Sequence, residues 1–326
     1  MPDTVQPAMG TPTRAGLRAN GPAVLFVLLA ILCLAISLGS PRFYAAENIA
    51  GILRQCALVL IIGSGMTFLL IAAEVDLSVG AALAFAGVVA MDVTNQTGSA
   101  LLGALAGILF GGFVGLVNGI IVTRLKVKSL IATIATMMVL QGSVFLYSRQ
   151  AIQNRDQLPA FSAISTGYLG PVPMPVLIAA VTFACAYVVL RHTLFGRYIY
   201  AVGANPRAAR LSGLDPDRLK LFLFIITGLL TGLSGLVLAS LMNAGQPTAG
   251  RGFELTVIAA VILGGTSLKG GRGTLLGTLL GVLILQVINN GIIILGWDQE
   301  LQLVVPGFVI VLAAYLDIVR RRADVR

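Results

Sequence analysis

Charge is what this chain of 326 residues has least of: 11% of its side chains are Asp, Glu, Lys or Arg. A soluble domain carries about 25%. The chain has one histidine, His192, beside Arg191 at a predicted helix end, where a helix-terminus role fits better than a ligand role. With it, no Ser/His/Asp set and no metal cluster can be assembled, which weighs against an intramembrane enzyme and leaves no catalytic or metal residues to name. The three cysteines, Cys33, Cys56 and Cys185, lie in or beside apolar runs without metal or disulfide spacing and read as packing residues. A phosphate-binding G-x-x-x-x-G-K-[ST] loop is also missing. The closest stretch, Gly264–Gly273 (GGTSLKGGRG), has its lysine at the wrong spacing and no hydroxyl after it. The chain itself therefore binds no ATP phosphates and implies no cofactor of its own.

Apolar residues fill the space that charge leaves. They make up 57% of the sequence and recur in runs long enough to cross a bilayer, whose ~30 Å core takes about 20 helical residues. In hydrocarbon every backbone N–H and C=O must be satisfied within the segment, so such runs are helices. Ten spans are predicted, at 22–39, 53–73, 77–91, 99–122, 129–147, 174–190, 219–242, 255–268, 274–296 and 301–319. The third and eighth are short enough to be half-spans or tilted pieces. The fold class is an all-α integral membrane protein with one domain, 22–319, flanked by tails 1–21 and 320–326. The polar, Pro- and Gly-containing first tail reads as disordered. The first span follows Arg14 and Arg18 but exceeds a signal-peptide core and lacks a cleavage site, so it reads as a retained helix.

Basic residues set the orientation. With the N-terminus in the cytoplasm and ten alternating spans, 17 of the 22 Lys and Arg fall inside and the C-terminus is cytoplasmic as well. The net charge of +9 is thus topogenic and does not point to nucleic acid.

Glycine marks helix contacts. Gly103, Gly107, Gly111, Gly115 and Gly119 repeat every four residues, as do Gly273, Gly277 and Gly281, and Gly228 with Gly232. Small residues at i and i+4 share a face and let another backbone approach. Packing within the protomer is the first reading; a pathway or a dimer seam is the other.

The densest polar block is Gly203–Lys220, GANPRAARLSGLDPDRLK, inside the longest internal connection, 191–218. Asn205–Pro206 favours a turn, Ala208 to Leu211 a short helix ended by Ser212–Gly213, and Asp215–Pro216 an N-cap and first turn. A short helix across the inner membrane face suits a groove on a soluble partner. Elsewhere, Asp76 with Ser78 reads as a helix start, or Glu74 and Asp76 as contacts to a partner or to this loop at the inner mouth. Asn118, Gln141, Asn289 and Asn290 lie within or near span ends, where such groups bond across helices or line a wet path. Carboxylates cluster at span ends, which weighs against an ion-coupled secondary transporter.

The stretch GRYIYAVGANPRAARLSGLD (196–215) resembles the cytoplasmic loop of membrane permeases from ATP-binding-cassette importers of the ribose, xylose and arabinose type. This group lies within the branched-chain amino acid/ribose permease superfamily. VDLSVG (75–80), GLVNGIIVTRLKV (115–127) and FELTVIAAVILGGTSLKGGRGTLLGTLLGVLILQVINNG (253–291) resemble the same family, over about residues 22–319. The resemblance implies a type II importer-like permease fold, in the bacterial inner membrane with its lipid, paired as a homodimer. It implies a periplasmic sugar-binding protein outside and an ABC ATPase inside, which carries the ATP and magnesium. It makes Ala204, Asn205, Pro206, Arg207, Ala208, Ala209, Arg210, Leu211, Ser212, Gly213 and Leu214 the ATPase-coupling segment. Arg207 and Arg210 would then meet acidic groups, and Ala208, Ala209 and Leu211 a groove. Departures at Ala73–Glu74, Lys128–Ser129 and Thr256 leave the substrate subtype open between monosaccharides, autoinducer-2, nucleosides and branched-chain amino acids.

Overall fold

In a computed structural model of the protein, residues 21–155 and 158–324 are described. The tail 1–21 therefore lies outside the described residues except for Gly21, as do the last two residues of 320–326. Among the described residues, eight helices are long and apolar enough to span a membrane. They are α1 (Gly21–Gly39), α2 (Ala46–Ile71), α3 (Val79–Thr97), α4 (Ala100–Thr123), α5 (Ser129–Tyr147), α7 (Met174–His192), α10 (Pro216–Met242) and α12 (Leu275–Ile294). Shorter pieces are α6 (Pro159–Thr166), α8 (Leu194–Ala204), α9 (Pro206–Leu211) and α11 (Phe253–Leu263), and α13 runs Leu301–Asp324. The ten predicted spans recur as helices, but the tenth, in α13, is a short apolar stretch over Leu301–Leu312 rather than one of the eight. The third is a full-length helix of 19 residues rather than a half-span. The eighth has only 11 helical residues, and its approach, 246–252, is irregular backbone.

α2 is the hub. Every residue from Cys56 to Ala72 is buried, as expected of a helix that is apolar all round. It starts seven residues before its predicted boundary because Ala46–Leu53 is helical without being uniformly apolar. Asn48 in this first stretch exchanges amide hydrogen bonds with Asn290 of α12, at 3.1 and 2.7 Å.

Hydrophobic burial supplies little drive between helices in lipid, so close packing must. The most extensive contact is α4 against α10. A Cβ on Gly111 would lie 2.3 Å from the Gly228 carbonyl oxygen, and one on Gly115 would lie 2.2 Å from that of Phe224. Gly103 of the same stripe faces α3 instead, against Thr94 and Ala90, while Gly107 meets both Ala86 and Ala90 of α3 and Gly232 of α10. Gly277 and Gly281 meet the Gly264 and Ala260 carbonyls at the end of α11. The glycine repeats are thus seams within the protomer.

At one end of the bundle the 148–173 connection is clamped down. β1 (Ile152–Gln153) pairs antiparallel with β4 (Ala244–Gly245), and β2 (Tyr168–Leu169) with β3 (Val172–Pro173). The Ser240 hydroxyl donates to the Phe161 carbonyl at 2.6 Å, fixing α6 to α10.

These contacts predict the effect of added volume. Gly115→Val should lower the thermal midpoint in detergent by the equivalent of about 1–3 kcal/mol, the usual cost of overpacking. Gly142→Ala, where an added Cβ meets nothing within 4 Å, should leave the midpoint unchanged. Equal midpoints for the two variants would refute the α4–α10 seam.

Candidate functional site

At the opposite end of the bundle, four connections converge. The turn after α2, the α4–α5 loop, α8–α9 and the glycine-rich stretch 264–273 meet there. The Gly271 amide donates to the Ile71 carbonyl at 2.8 Å. Gly203 sits against the same carbonyl, where a Cβ would lie 1.7 Å from the oxygen, so only glycine fits. Gly271 holds φ of +74° beside Ala204, a conformation that glycine adopts without strain.

The polar block folds as its residues direct. Asn205 caps α9, its Oδ1 accepting from the Arg207 and Ala208 amides at 3.0 and 3.1 Å, and Pro206 takes the first helical position. α9 ends at Ser212, and Gly213 turns the chain at φ +84°. Asp215 caps α10 by accepting from the Asp217 and Arg218 amides at 3.0 and 3.1 Å. The Arg218 amide foremost, with that of Asp217, holds the Asp215 carboxyl below its usual range.

The predicted eleven-residue segment is thus divided. Ala204 ends α8, Pro206 to Leu211 form α9, and Leu214 lies in the following turn. Ala209 faces inward at 5% exposure, while Leu211 is 91% exposed. Arg210 bonds Asp217 at 2.9 Å, and Asp217 also takes Lys126 of the α4–α5 loop at 2.8 Å. Asp217 was not singled out by sequence reasoning. Its signal was the Asp-Pro-Asp spacing, in which the first carboxylate caps the helix and the second is left to pair. Arg207 enters no ion pair among the described residues.

Glu74 and Asp76 part company. Glu74 pairs with Lys220 at 2.5 Å, with side chains only 10% and 17% exposed. Asp76, 2% exposed, turns inward: its Oδ1 accepts from the Ser78 amide and hydroxyl at 2.8 and 2.6 Å, and Asn118 donates to both carboxylate oxygens. The cap position of α3 is Ser78, so Asp76 makes the turn before the helix rather than the cap itself. The Leu77 amide donates to Thr133 of α5 at 3.1 Å, which completes a buried polar knot joining the α2–α3 turn, α4 and α5.

The four amides are not brought to one channel. Asn118 belongs to this knot, and Asn290 to the α2–α12 pair. Asn289 is 8% exposed, with an unpartnered Oδ1. Gln141 borders a small gap with Phe145, Pro247 and Arg251.

A cleft of about 440 Å³ lies over the ion pairs, lined by Glu74, Lys126, Lys128, Asp217 and Lys220. Its charges largely neutralise each other, and what they do mechanically is tie the α4–α5 loop and the α2 turn to the foot of α10. Lys220→Met should destabilise the protein by about 3–5 kcal/mol, because it strands Glu74 nearly buried and unpaired. Glu74→Met added to it should recover most of the loss in thermal unfolding. A wild-type midpoint for the single variant would refute the pairing.

Residues 48–314 match the family described as "Branched-chain amino acid transport system / permease component". The ribose import permease protein RbsC of Haemophilus influenzae is 39% identical over 295 residues, covering 90% of this chain and 91% of that protein. RbsC of Bacillus subtilis is 40% identical over 293 residues, with 90% and 91% covered. The L-arabinose ABC transporter permease protein AraH of Azospirillum brasilense is 38% identical over 302 residues, with 93% and 88% covered. With the eight apolar helices, these similarities show that the chain is a multi-pass membrane protein belonging to the permease-component family of branched-chain amino acid transport systems.

Proposed function

We propose that this chain is the membrane subunit of an ATP-driven importer for a monosaccharide of the ribose or arabinose type. The observation that carries the reading is similarity to ribose and arabinose permeases across about nine-tenths of the chain. In this reading the end bearing α8 and α9 faces the cytoplasm and an ATPase seats on it. A sugar-binding protein docks on the clamped opposite end, and a second copy of this chain completes the pathway.

α9 supports the coupling role. It presents Leu211 and Arg207 outward, while Ala209 and the Arg210–Asp217 pair anchor it inward. A push on α9 reaches α10 directly through Asp217, and the α4–α5 loop through Lys126. Glu74 brings the end of α2 into the same body through Lys220. Glu74 thus ties the α2 turn to the foot of α10 rather than facing the ATPase surface, and Asp76 stiffens the turn behind it. Nucleotide and loaded binding protein shift the permease between states only by binding one of them better.

The test is co-expression with candidate ATPase and binding-protein partners, purification in mild detergent, and ATP hydrolysis across a solute panel. Stimulation by ribose or arabinose with the binding protein is expected. Stimulation by branched-chain amino acids alone would replace the sugar reading, and a permease that never retains an ATPase would sink the importer reading. Leu211→Asp should abolish ATPase retention with an unchanged thermal midpoint, since this side chain packs on nothing within its own chain. Full retention would reject α9 as the docking element.

A further inference from the structure

A second cleft, also about 440 Å³, lies at the same end of the molecule as α8 and α9, on a different flank. It is bordered by the feet of three spanning helices: Pro22 of α1, Tyr187 and Arg191 of α7, and Leu276 of α12. Arg197 and Tyr200 of α8 close it from the connection side. The two arginines are exposed, and neither forms an ion pair among the described residues. Among the described residues no carboxylate lines the cleft, whereas the first cleft balances its lysines with Glu74 and Asp217. The remaining walls are largely apolar: Leu190 and Leu275 are buried at its back, and Leu276 is 47% exposed. Thr274 caps α12 at this rim, its hydroxyl accepting from the Gly277 amide at 3.1 Å, so the positive end of a 20-residue helix adds to the field.

Two unpaired guanidiniums over apolar walls, at the level where spans leave the bilayer, suit a ligand with an anionic head and hydrocarbon tails. Arginine forks match phosphate oxygens, and basic pockets between spanning helices take lipid head groups. We propose that this cleft binds an anionic phospholipid, its phosphate between Arg191 and Arg197 and its acyl chains along Leu276, Tyr187 and the foot of α1. Assigning it to the cytoplasmic leaflet rests on the orientation proposed above; binding itself does not. The lipid would brace α8, which is already fixed to the start of α12 by the Tyr200 hydroxyl donating to the Gly273 carbonyl at 2.7 Å, and α8 leads directly into α9.

The experiment uses the full chain alone in detergent, without ATPase or sugar, so that its result is independent of the importer reading. Native mass spectrometry would compare retention of phosphatidylglycerol and phosphatidylcholine by wild type and by the Arg191→Gln/Arg197→Gln variant. Thermal midpoints would be measured with each lipid and with glycerol 1-phosphate. Wild type should retain phosphatidylglycerol about tenfold or more better than the double variant, in line with the worth of two basic groups near an anionic surface. It should be stabilised by that lipid and not by phosphatidylcholine or glycerol 1-phosphate. Arg191→Lys/Arg197→Lys should retain an intermediate amount. Equal retention by wild type and the glutamine variant would overturn the proposal. So would equal stabilisation by glycerol 1-phosphate, which would mark a free-phosphate site.

Discussion

Backbone-to-backbone contact through glycine is the constraint on which this structure rests. Lipid tails are as apolar as leucine, so the helices gain little by hiding apolar side chains from their solvent. What holds them is the closeness that a missing Cβ permits. α10 lies on α4 through Gly228 and Gly232 against Gly107, Gly111 and Gly115. The same α4 stripe turns its first glycines to α3, so one helix joins two partners along a single face. α2 then fills the middle, buried from Cys56 to Ala72.

That closeness also shapes the approach to α11. After α10, the chain returns beside α3: Gly245 packs on Val88, and Gly250 on the backbone of Gly80. Helix resumes only at Phe253. The segment 243–252 is thus covered by α3, and β1 pairs with its start. Glycine at 80, 245 and 250 is needed because two main chains approach within contact of each other there.

At the other end, charge does what glycine does within the bundle. Lys220–Glu74 and Lys126–Asp217–Arg210 join α2, the α4–α5 loop, α9 and α10. The first pair is nearly buried and the second network exposed, so they differ in kind. Removing one partner of the buried pair leaves a stranded charge, whereas the exposed pairs are individually weak. The network positions α9 more than it stabilises the protein. The second cleft stands apart because its arginines form no such ion pairs among the described residues.

Much of this was legible in the residues taken in order. Apolar runs located the spans, since hydrocarbon allows only helices there, and glycines four apart marked faces for close contact. Asn205–Pro206 and Asp215–Pro216 announced the starts of α9 and α10, because caps are local chemistry between a side chain and amides two or three residues on. What no local pattern carries is who meets whom. That Glu74 finds Lys220, that Asp76 turns in to Asn118 rather than out to a partner, and that Asp217 serves Lys126 and Arg210 together depend on how distant helices pack. The amides Asn118, Gln141, Asn289 and Asn290 looked alike in sequence and were separated by the fold. The sequence by itself determined the helices, their ends and their small-residue faces, because each follows from neighbours within a turn or two. Only the tertiary structure decided the Glu74–Lys220 and Lys126–Asp217 pairs, the irregular approach to α11 and the two clefts, because each is made by groups that the chain brings together across dozens of residues.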